Sequence, residues 1–175
     1  MNSVAYERSP FTFAGQAQAS AGQMWLADIS LPPMKRSDAE AWVAWLVSLR
    51  GQFGTFNLGD PLAASPDGTA TTMAITGNAG DNQATVATNG TLSAGDWFSI
   101  PQAGSTFSLH KLTQDVSTGT STAYFYPSLR AAASGVSCDL TYPKGTFRLA
   151  SNETSWSVNE AAIYGISFSA MESVV

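Results

Sequence analysis

The spacing of apolar residues predicts one amphipathic helix in the first third of the chain. Apolar side chains recur at i, i+3, i+4 and i+7 and therefore form one stripe that faces a core. The stripe consists of Trp42, Trp45, Leu46 and Leu49. Ser37 followed by Glu40 predicts a capping box at the start of the helix, and Gly51 predicts a left-handed stop at its end.

Shorter apolar alternations predict strands on both sides of this helix. Before it, PFTFAG and GQMWLADISL read as two strands joined by the link QAQASAG. After it, the apolar residues of QFGTFNL alternate with polar ones, and this alternation is interrupted at Gly54. A break of this kind at a glycine predicts a bulge or a close approach of another backbone segment.

The middle of the chain is a run of short, Thr-rich strands separated by Gly, Asn and Asp. Pro127 ends the last of them. Strands at this regular spacing, with turn residues between them, predict a small antiparallel barrel or sandwich. The five predicted strands are 71–76, 83–87, 97–100, 107–114 and 120–126.

The alternation typical of the first part returns after about residue 142. Apolar residues two positions apart are Phe147 and Leu149, Trp156 and Val158, and Ile166 and Phe168. The sequence thus predicts a mostly β, α+β fold in which an outer domain, 1–62 plus 143–175, is interrupted by an inserted β-rich domain, 63–142. One continuous β domain is the alternative. In the outer domain the expected core residues are Trp42, Trp45, Leu46, Leu49 and Trp156.

Composition and charge exclude some classes of protein. Hydrophobic residues make up 44% of the chain, which is ample for a core, while only 12% are charged. The net charge of −5, with eight scattered Lys and Arg residues, argues against specific nucleic-acid binding. The single cysteine, Cys138, excludes an internal disulfide framework.

The apolar stretches predict neither a membrane span nor a signal peptide. The longest of them lies in the amphipathic helix and is far short of the roughly 20 residues that a span needs. The first residues lack the hydrophobic segment of a secretory signal. We therefore expect folding in a cytoplasm and no insertion into a membrane.

The residue types present give little indication of a catalytic site. His110 is the only histidine and lies in a predicted strand, so it is expected to be structural. One His and one Cys do not supply a zinc site of the usual ligand number, and no phosphate-binding glycine motif is present. Asp96, in AGDWFSI, reads as a turn residue before a strand. We expect no enzyme activity, and no catalytic, metal or cofactor residues are assigned.

Three aromatic residues of the middle segment are candidates for stacking on a sugar. They are Trp97, Tyr124 and Tyr126. The alternative is that they are ordinary aromatic residues of a small barrel core.

Three segments together resemble minor tail proteins of bacteriophages with long, non-contractile tails, in particular the distal tail protein of the tail tip. They are WLADISLPPMKRSDAEAWVAWLVSLRGQFGTFNLGDP, LSAGDWFSIPQAGSTFSLHKLTQDVSTGTSTAYFYPSLR and GTFRLASNETSWSVNEAAIYGISFSAMES. In the middle segment the matching positions are Gly95, Asp96, Trp97, Leu109, Pro127, Leu129 and Arg130.

The resemblance implies a structural protein of the virion tail tip. The outer domain would be a β-sandwich similar to a tail-tube protein, with one packed helix, and the insertion a small barrel resembling an oligonucleotide/oligosaccharide-binding (OB) fold. A ring, usually hexameric, would join the tail tube to the baseplate hub and other tail-tip proteins, and DNA would pass through it without specific binding. A carbohydrate-binding adhesion module and another tail ring, such as a tail terminator, are the alternatives.

Overall fold

The chain is mostly β with one α-helix in a computed structural model that describes residues 1–160 and 162–174. Residues 161 and 175, which fall in the predicted outer segment 143–175, lie outside that description. The helix is α1 (Arg36–Ser48). The strands are β1 (Asn2–Arg8), β2 (Gly15–Gln23), β3 (Leu26–Ser30), β4 (Met34–Lys35), β5 (Phe56–Leu58), β6 (Met73–Gly77), β7 (Gln83–Thr88), β8 (Trp97–Pro101), β9 (Phe107–Leu112), β10 (Gly119–Tyr126), β11 (Ala133–Cys138), β12 (Gly145–Leu149), β13 (Trp156–Val158) and β14 (Ile163–Glu172).

Six antiparallel strands from the middle of the chain form a nearly closed barrel, in the order β11-β6-β7-β10-β9-β8. A bridge between Ser99 and Asp139 joins β8 to the end of β11, with N–H to O distances of 3.0 and 2.9 Å. The β-rich prediction for this region is confirmed. Strand β11 was not predicted because its sequence, ASGVSC, has almost no large apolar residues to alternate.

The barrel has its own apolar core. Phe98 lies at its centre and contacts the edge of Phe125, with ring centroids 5.6 Å apart. Residues from all six strands contribute to this core, including Met73, Ile75, Val86, Ile100, Leu112, Ala123, Phe125, Ala133 and Cys138. The barrel is therefore filled by side chains and encloses no channel.

The second large sheet, which we call the outer sheet, is built around β14. This long strand pairs with β3 and β4 on one side and with β12 and β13 on the other, and β12 continues to β5. Its strands come from before residue 59 and after residue 144, whereas those of the barrel lie between 73 and 138. Division of the chain into two domains stays a prediction, but each sheet takes its strands from one of the two predicted parts.

Helix α1 starts earlier than the capping box predicts. Strand β4 pairs with β14 and passes directly into the helix, so Lys35 is the N-cap and no side chain caps the helix. Glu40 instead accepts a hydrogen bond of 3.1 Å from Nε of Arg36. The predicted capping box is therefore wrong. At the other end, Arg50 and Gly51 both adopt the left-handed conformation, with φ of 53° and 66°.

The helix packs on the outer sheet through a narrower stripe than the sequence predicts. Leu46 and Leu49 are buried, and Trp45 lies between Phe56 and Phe168, with centroids 5.1 and 5.7 Å away. Trp42 is 38% exposed because it lies at the border of the stripe and contacts only the edge of Trp45 within the aromatic cluster.

Trp156 is the second expected core residue that lies outside the core. It is 42% exposed, because all three residues of β13 lie at the solvent-exposed margin of the outer sheet. The prediction that Trp42 and Trp156 are core residues is wrong.

A close backbone approach at Gly54 explains the irregular pattern of QFGTFNL. The first part of this segment is a 3₁₀ turn, Gly51–Phe53, and only Phe56–Leu58 is a strand. A Cβ atom on Gly54 would lie 2.7 Å from the carbonyl oxygen of Leu49, to which the Gly54 N–H donates a hydrogen bond of 2.8 Å. The close approach predicted from the sequence is present.

Substituting Gly54→Ala is expected to destabilise the protein by about 1 to 3 kcal/mol, because the opposing atoms are backbone and cannot rotate away. The measurement is the free energy of unfolding in urea. Gly22→Ala is the control, since its nearest contact would be the Cβ of Ser3 at 3.3 Å. Equal losses in the two variants would contradict this account.

Candidate assembly surface

Strands β1 and β2 form a two-stranded antiparallel hairpin, here called the arm, which pairs with no other strand in the described part of the chain. Every residue of β1 is exposed. The sequence prediction is wrong here, because PFTFAG forms the tip of the arm and all of QAQASAG lies in strand β2. The alternation of aromatic residues in PFTFAG is typical of a strand, but in the structure this segment forms the turn between β1 and β2.

The arm has one apolar face and one polar face. Tyr6 lies directly opposite Ala17, and Val4 shares their face because side chains alternate along a strand. Glu7 lies opposite Gln16 on the other face. Alternation of this kind is typical of a sheet with one buried face, yet Val4 and Tyr6 are 53% and 66% exposed.

Two phenylalanines at the tip are among the most exposed apolar side chains. Phe11 is 91% exposed and Phe13 is 65% exposed. The Arg8 guanidinium lies over the Phe13 ring, 4.8 Å from its centroid, and Arg8 Nε donates a hydrogen bond of 3.2 Å to the Phe13 carbonyl oxygen. Ser9 Oγ accepts bonds from the backbone of the turn. The tip is thus shaped by its own hydrogen bonds while its rings face solvent.

The base of the arm is attached to the barrel. The Tyr126 hydroxyl donates a hydrogen bond of 2.8 Å to the carbonyl oxygen of Met1. The backbone N–H of Ser128 donates one of 2.8 Å to Oε1 of Gln23. These bonds hold the two ends of the arm near the end of β10.

An apolar groove opens where the barrel meets the outer sheet, beside the base of the arm. We call it the junction groove; its volume is about 250 Å³. Asp60 is its one charged lining residue. The other lining residues are Trp25, Leu26, Ala27, Ile29, Leu58, Gly59, Pro61, Trp97, Leu109 and Phe147.

Trp25 fixes one wall of the junction groove. Its indole Nε1 donates a hydrogen bond of 2.8 Å to the carbonyl oxygen of Leu109 in the barrel. Its ring contacts both Trp97 and Tyr126, with centroid distances of 5.0 and 4.9 Å. A residue at the start of the outer sheet thus packs on the outside of the barrel.

A buried ion pair stabilises the same junction. Arg130, which follows β10, donates a hydrogen bond of 2.6 Å to Oε2 of Glu172 at the end of β14. The two side chains are only 12% and 2% exposed. Glu172 Oε2 also accepts a bond of 3.1 Å from the Trp25 backbone N–H. The pair links the barrel to the outer sheet.

The three candidate sugar-stacking residues do not form one platform. Trp97 contacts Trp25, and the Lys111 ammonium lies 4.6 Å from its ring centroid. Tyr126 contacts the edge of Trp25, so Tyr124, 38% exposed, is the most accessible of the three. Glycan binding stays a prediction.

His110 belongs to the barrel core. It is fully buried, stacks on Phe98 at 5.2 Å, and has both ring nitrogens hydrogen-bonded. Nδ1 donates to the carbonyl oxygen of Pro127 at 2.8 Å, which leaves Nε2 to accept from the Ser108 hydroxyl at 3.0 Å. The pKa of His110 is lowered from 6.5 to about 4, mainly by burial; the hydrogen bond to the Pro127 carbonyl raises it and the nearby charge of Arg130 lowers it.

Asp96 and Cys138 are also enclosed. The Asp96 carboxylate accepts hydrogen bonds of 2.8 Å from the backbone N–H groups of Asp67 and Ser93, a turn-stabilising arrangement. Burial raises the pKa of the Cys138 thiol to about 12, with a smaller contribution from Asp139. The thiol is therefore protonated and unreactive at neutral pH.

The sequence matches no protein-family model and no curated protein. Within residues 1–160 and 162–174, no group of three or more His, Cys, Asp or Glu side chains is placed to hold a metal ion. The helix in the same residues is too short and too polar to cross a membrane.

Sequence reasoning missed both the arm and the junction groove. For the arm a signal existed, because NSVAYER alternates Val4, Tyr6 and Arg8 with smaller and polar residues. For the junction groove no local signal existed, since its walls come from positions as far apart as Trp25 and Phe147.

Proposed function

We propose that this protein is a structural component of a bacteriophage tail tip, where copies of the chain form a ring that joins the tail tube to the baseplate hub. The single observation that carries the proposal is the exposed arm. A two-stranded hairpin is at best marginally stable alone in water, and this one has an apolar face and two aromatic side chains without cover. Such an arm suits a protein that completes its packing against neighbouring molecules.

The architecture supports the same proposal. A sheet carrying one helix, with strands from both ends of the chain, and a separate small barrel are the two parts that the resemblance to distal tail proteins implies. In a ring, the outer sheet would face the neighbouring copies and the barrel would project from it. The mechanism is one of fit between surfaces, with no chemical step.

The charge of the chain also suits a tube through which DNA slides. The net charge is −5, and the eight Lys and Arg residues are scattered. A negative lining repels phosphate and a neutral one does not attract it, so either would let DNA pass without holding it. Hexameric closure, the contact with the tube protein and location in the virion belong to this proposal.

Immunogold electron microscopy of phage particles, with an antibody against this chain, tests the proposal. We expect gold at the end of the tail remote from the head, and cryo-electron microscopy of the same particles should show the chain as one symmetric layer around the tail axis. Preimmune serum is the control. Gold on the head, or particles without this chain, would overturn the proposed function.

A further inference from the structure

The arm cannot cover its own apolar surface. Its base is attached to the barrel through Met1 and Gln23, and seven strand residues at about 3.3 Å each carry the tip roughly 23 Å away. Folding the tip back would break the strand pairs that form the arm. Any cover for the rings of Phe11 and Phe13 therefore comes from another molecule.

The junction groove has an apolar lining suited to these rings and a volume larger than one of them needs. An apolar cavity of roughly 150 Å³ is enough to accept benzene, and this groove measures about 250 Å³. Its walls are Trp, Leu, Ile, Pro and Phe side chains, and Leu26 at its edge is 54% exposed. A phenyl ring placed there would remove apolar surface from water on both sides.

The two larger cavities suit an apolar tip less well. One, of about 390 Å³, lies beside the helix and is lined by five Ser side chains together with Asp28 and Glu153. The other, of about 630 Å³, lies on the barrel and is lined by groups such as Asn78, Asp81 and Gln83. A phenyl ring in either would strip water from polar groups without replacing their hydrogen bonds.

Charge and position identify the occupant as a second copy of this chain. The tip carries Arg8 beside Phe13, and the groove carries Asp60 as its one charged lining residue, so the two surfaces are complementary. The groove begins at Trp25, two residues after the arm ends at Gln23. Each copy therefore presents a tip at one place and a groove at another, which is a head-to-tail contact.

We propose that Phe11 and Phe13 at the arm tip of one copy fill the junction groove of the next copy, with Arg8 facing Asp60. This inference rests on the proposed function and specifies the contact that builds the ring. A heterologous contact of this type repeats from copy to copy and closes when the rotations complete a turn.

Disulfide trapping tests the contact directly. In the full chain, Phe11→Cys combined with Leu26→Cys should give a ladder of covalent oligomers under mild oxidation, both as free protein and in phage particles. The native Cys138 does not interfere, because it is buried and its pKa is raised. The control pairs Phe11→Cys with Val47→Cys, which is 57% exposed on the helix and remote from the groove; it should give no ladder.

A second pair of variants keeps the test independent of engineered thiols. Phe11→Ser with Phe13→Ser should raise the protein concentration needed for half-assembly by about a hundredfold or more, since each buried ring contributes more than one tenfold step in affinity. Glu7→Gln with Gln16→Ser, on the polar face of the arm, should leave it unchanged. The substitutions of both variants lie on exposed parts of the arm, so the barrel is expected to fold in each variant.

The outcomes separate this inference from the proposed function. A ring that forms without the Phe11 to Leu26 ladder, or that is insensitive to loss of the two phenylalanines, overturns the arm contact and leaves the tail-tip assignment intact. Gold labelling that finds no chain in the phage particle overturns the tail-tip assignment. A ladder between free copies would then still support the arm contact.

Discussion

Acid should destabilise this protein through His110, by about 3 kcal/mol between pH 7 and pH 4. In the folded barrel the ring is buried and its pKa is lowered from 6.5 to about 4. The unfolded chain therefore binds a proton below pH 6.5 that the folded chain binds only near pH 4. A shift of one pKa unit corresponds to about 1.36 kcal/mol. The contribution of His110 to the free energy of unfolding is therefore fully present above pH 6.5 and is lost as the pH drops from 6.5 to about 4.

Urea unfolding at a series of pH values measures this effect. His110→Gln removes the titrating ring, so its stability should fall less steeply across the same window, while the carboxylates contribute equally to both proteins. The ring is the only histidine in the chain, so its NMR signals are unambiguous. They should not shift between pH 7 and pH 5 in the folded wild type. A ring that titrates near 6.5, or identical slopes for the two proteins, would rule out this account.

Replacing Glu172 by Gln should destabilise the protein by about 3 to 5 kcal/mol. The substitution leaves the Arg130 guanidinium buried without its counter-charge, 12% exposed at the junction of barrel and outer sheet. It also weakens the acceptor of the Trp25 backbone N–H. Loss of the pair should loosen the contact between the two sheets as well as lower the free energy of unfolding.

The chain offers a matched control for this prediction. Arg36 and Glu40 form an ion pair of 3.1 Å on the helix surface, with side chains 76% and 52% exposed. Glu40→Gln should change stability little, because solvent screens an exposed pair. Arg130→Met added to Glu172→Gln should restore part of the loss, since it removes the isolated charge. A Glu172→Gln variant as stable as Glu40→Gln would refute the role of the buried pair.

The sequence predicts strands well where large apolar residues recur at every second position. The barrel strands around Ile75, Val86 and Phe98 are examples, because each alternates large with small or polar residues. Strand β11 has small residues and carries no such signal. Trp42 shows the opposite error: its spacing fits the stripe, but it lies at the border of the stripe and is 38% exposed.

The arm and the junction between the two sheets depend on contacts that the local sequence pattern does not contain. The partners Arg130 and Glu172 are 42 positions apart, and only the packing of β14 against the barrel brings them together. PFTFAG has the composition of a strand, yet the pairing of β1 with β2 places it at a turn. The sequence therefore predicts the two sheets better than the surface between them.

The position of β14 in the sequence determines which of the two sheets is translated in full first. Every strand of the barrel precedes residue 140, so all of them are translated before β14. Helix α1, β3 and β4 are translated long before, but their pairing strand arrives only with residues 163–172. The outer sheet is therefore completed by a strand that is translated after every strand of the barrel.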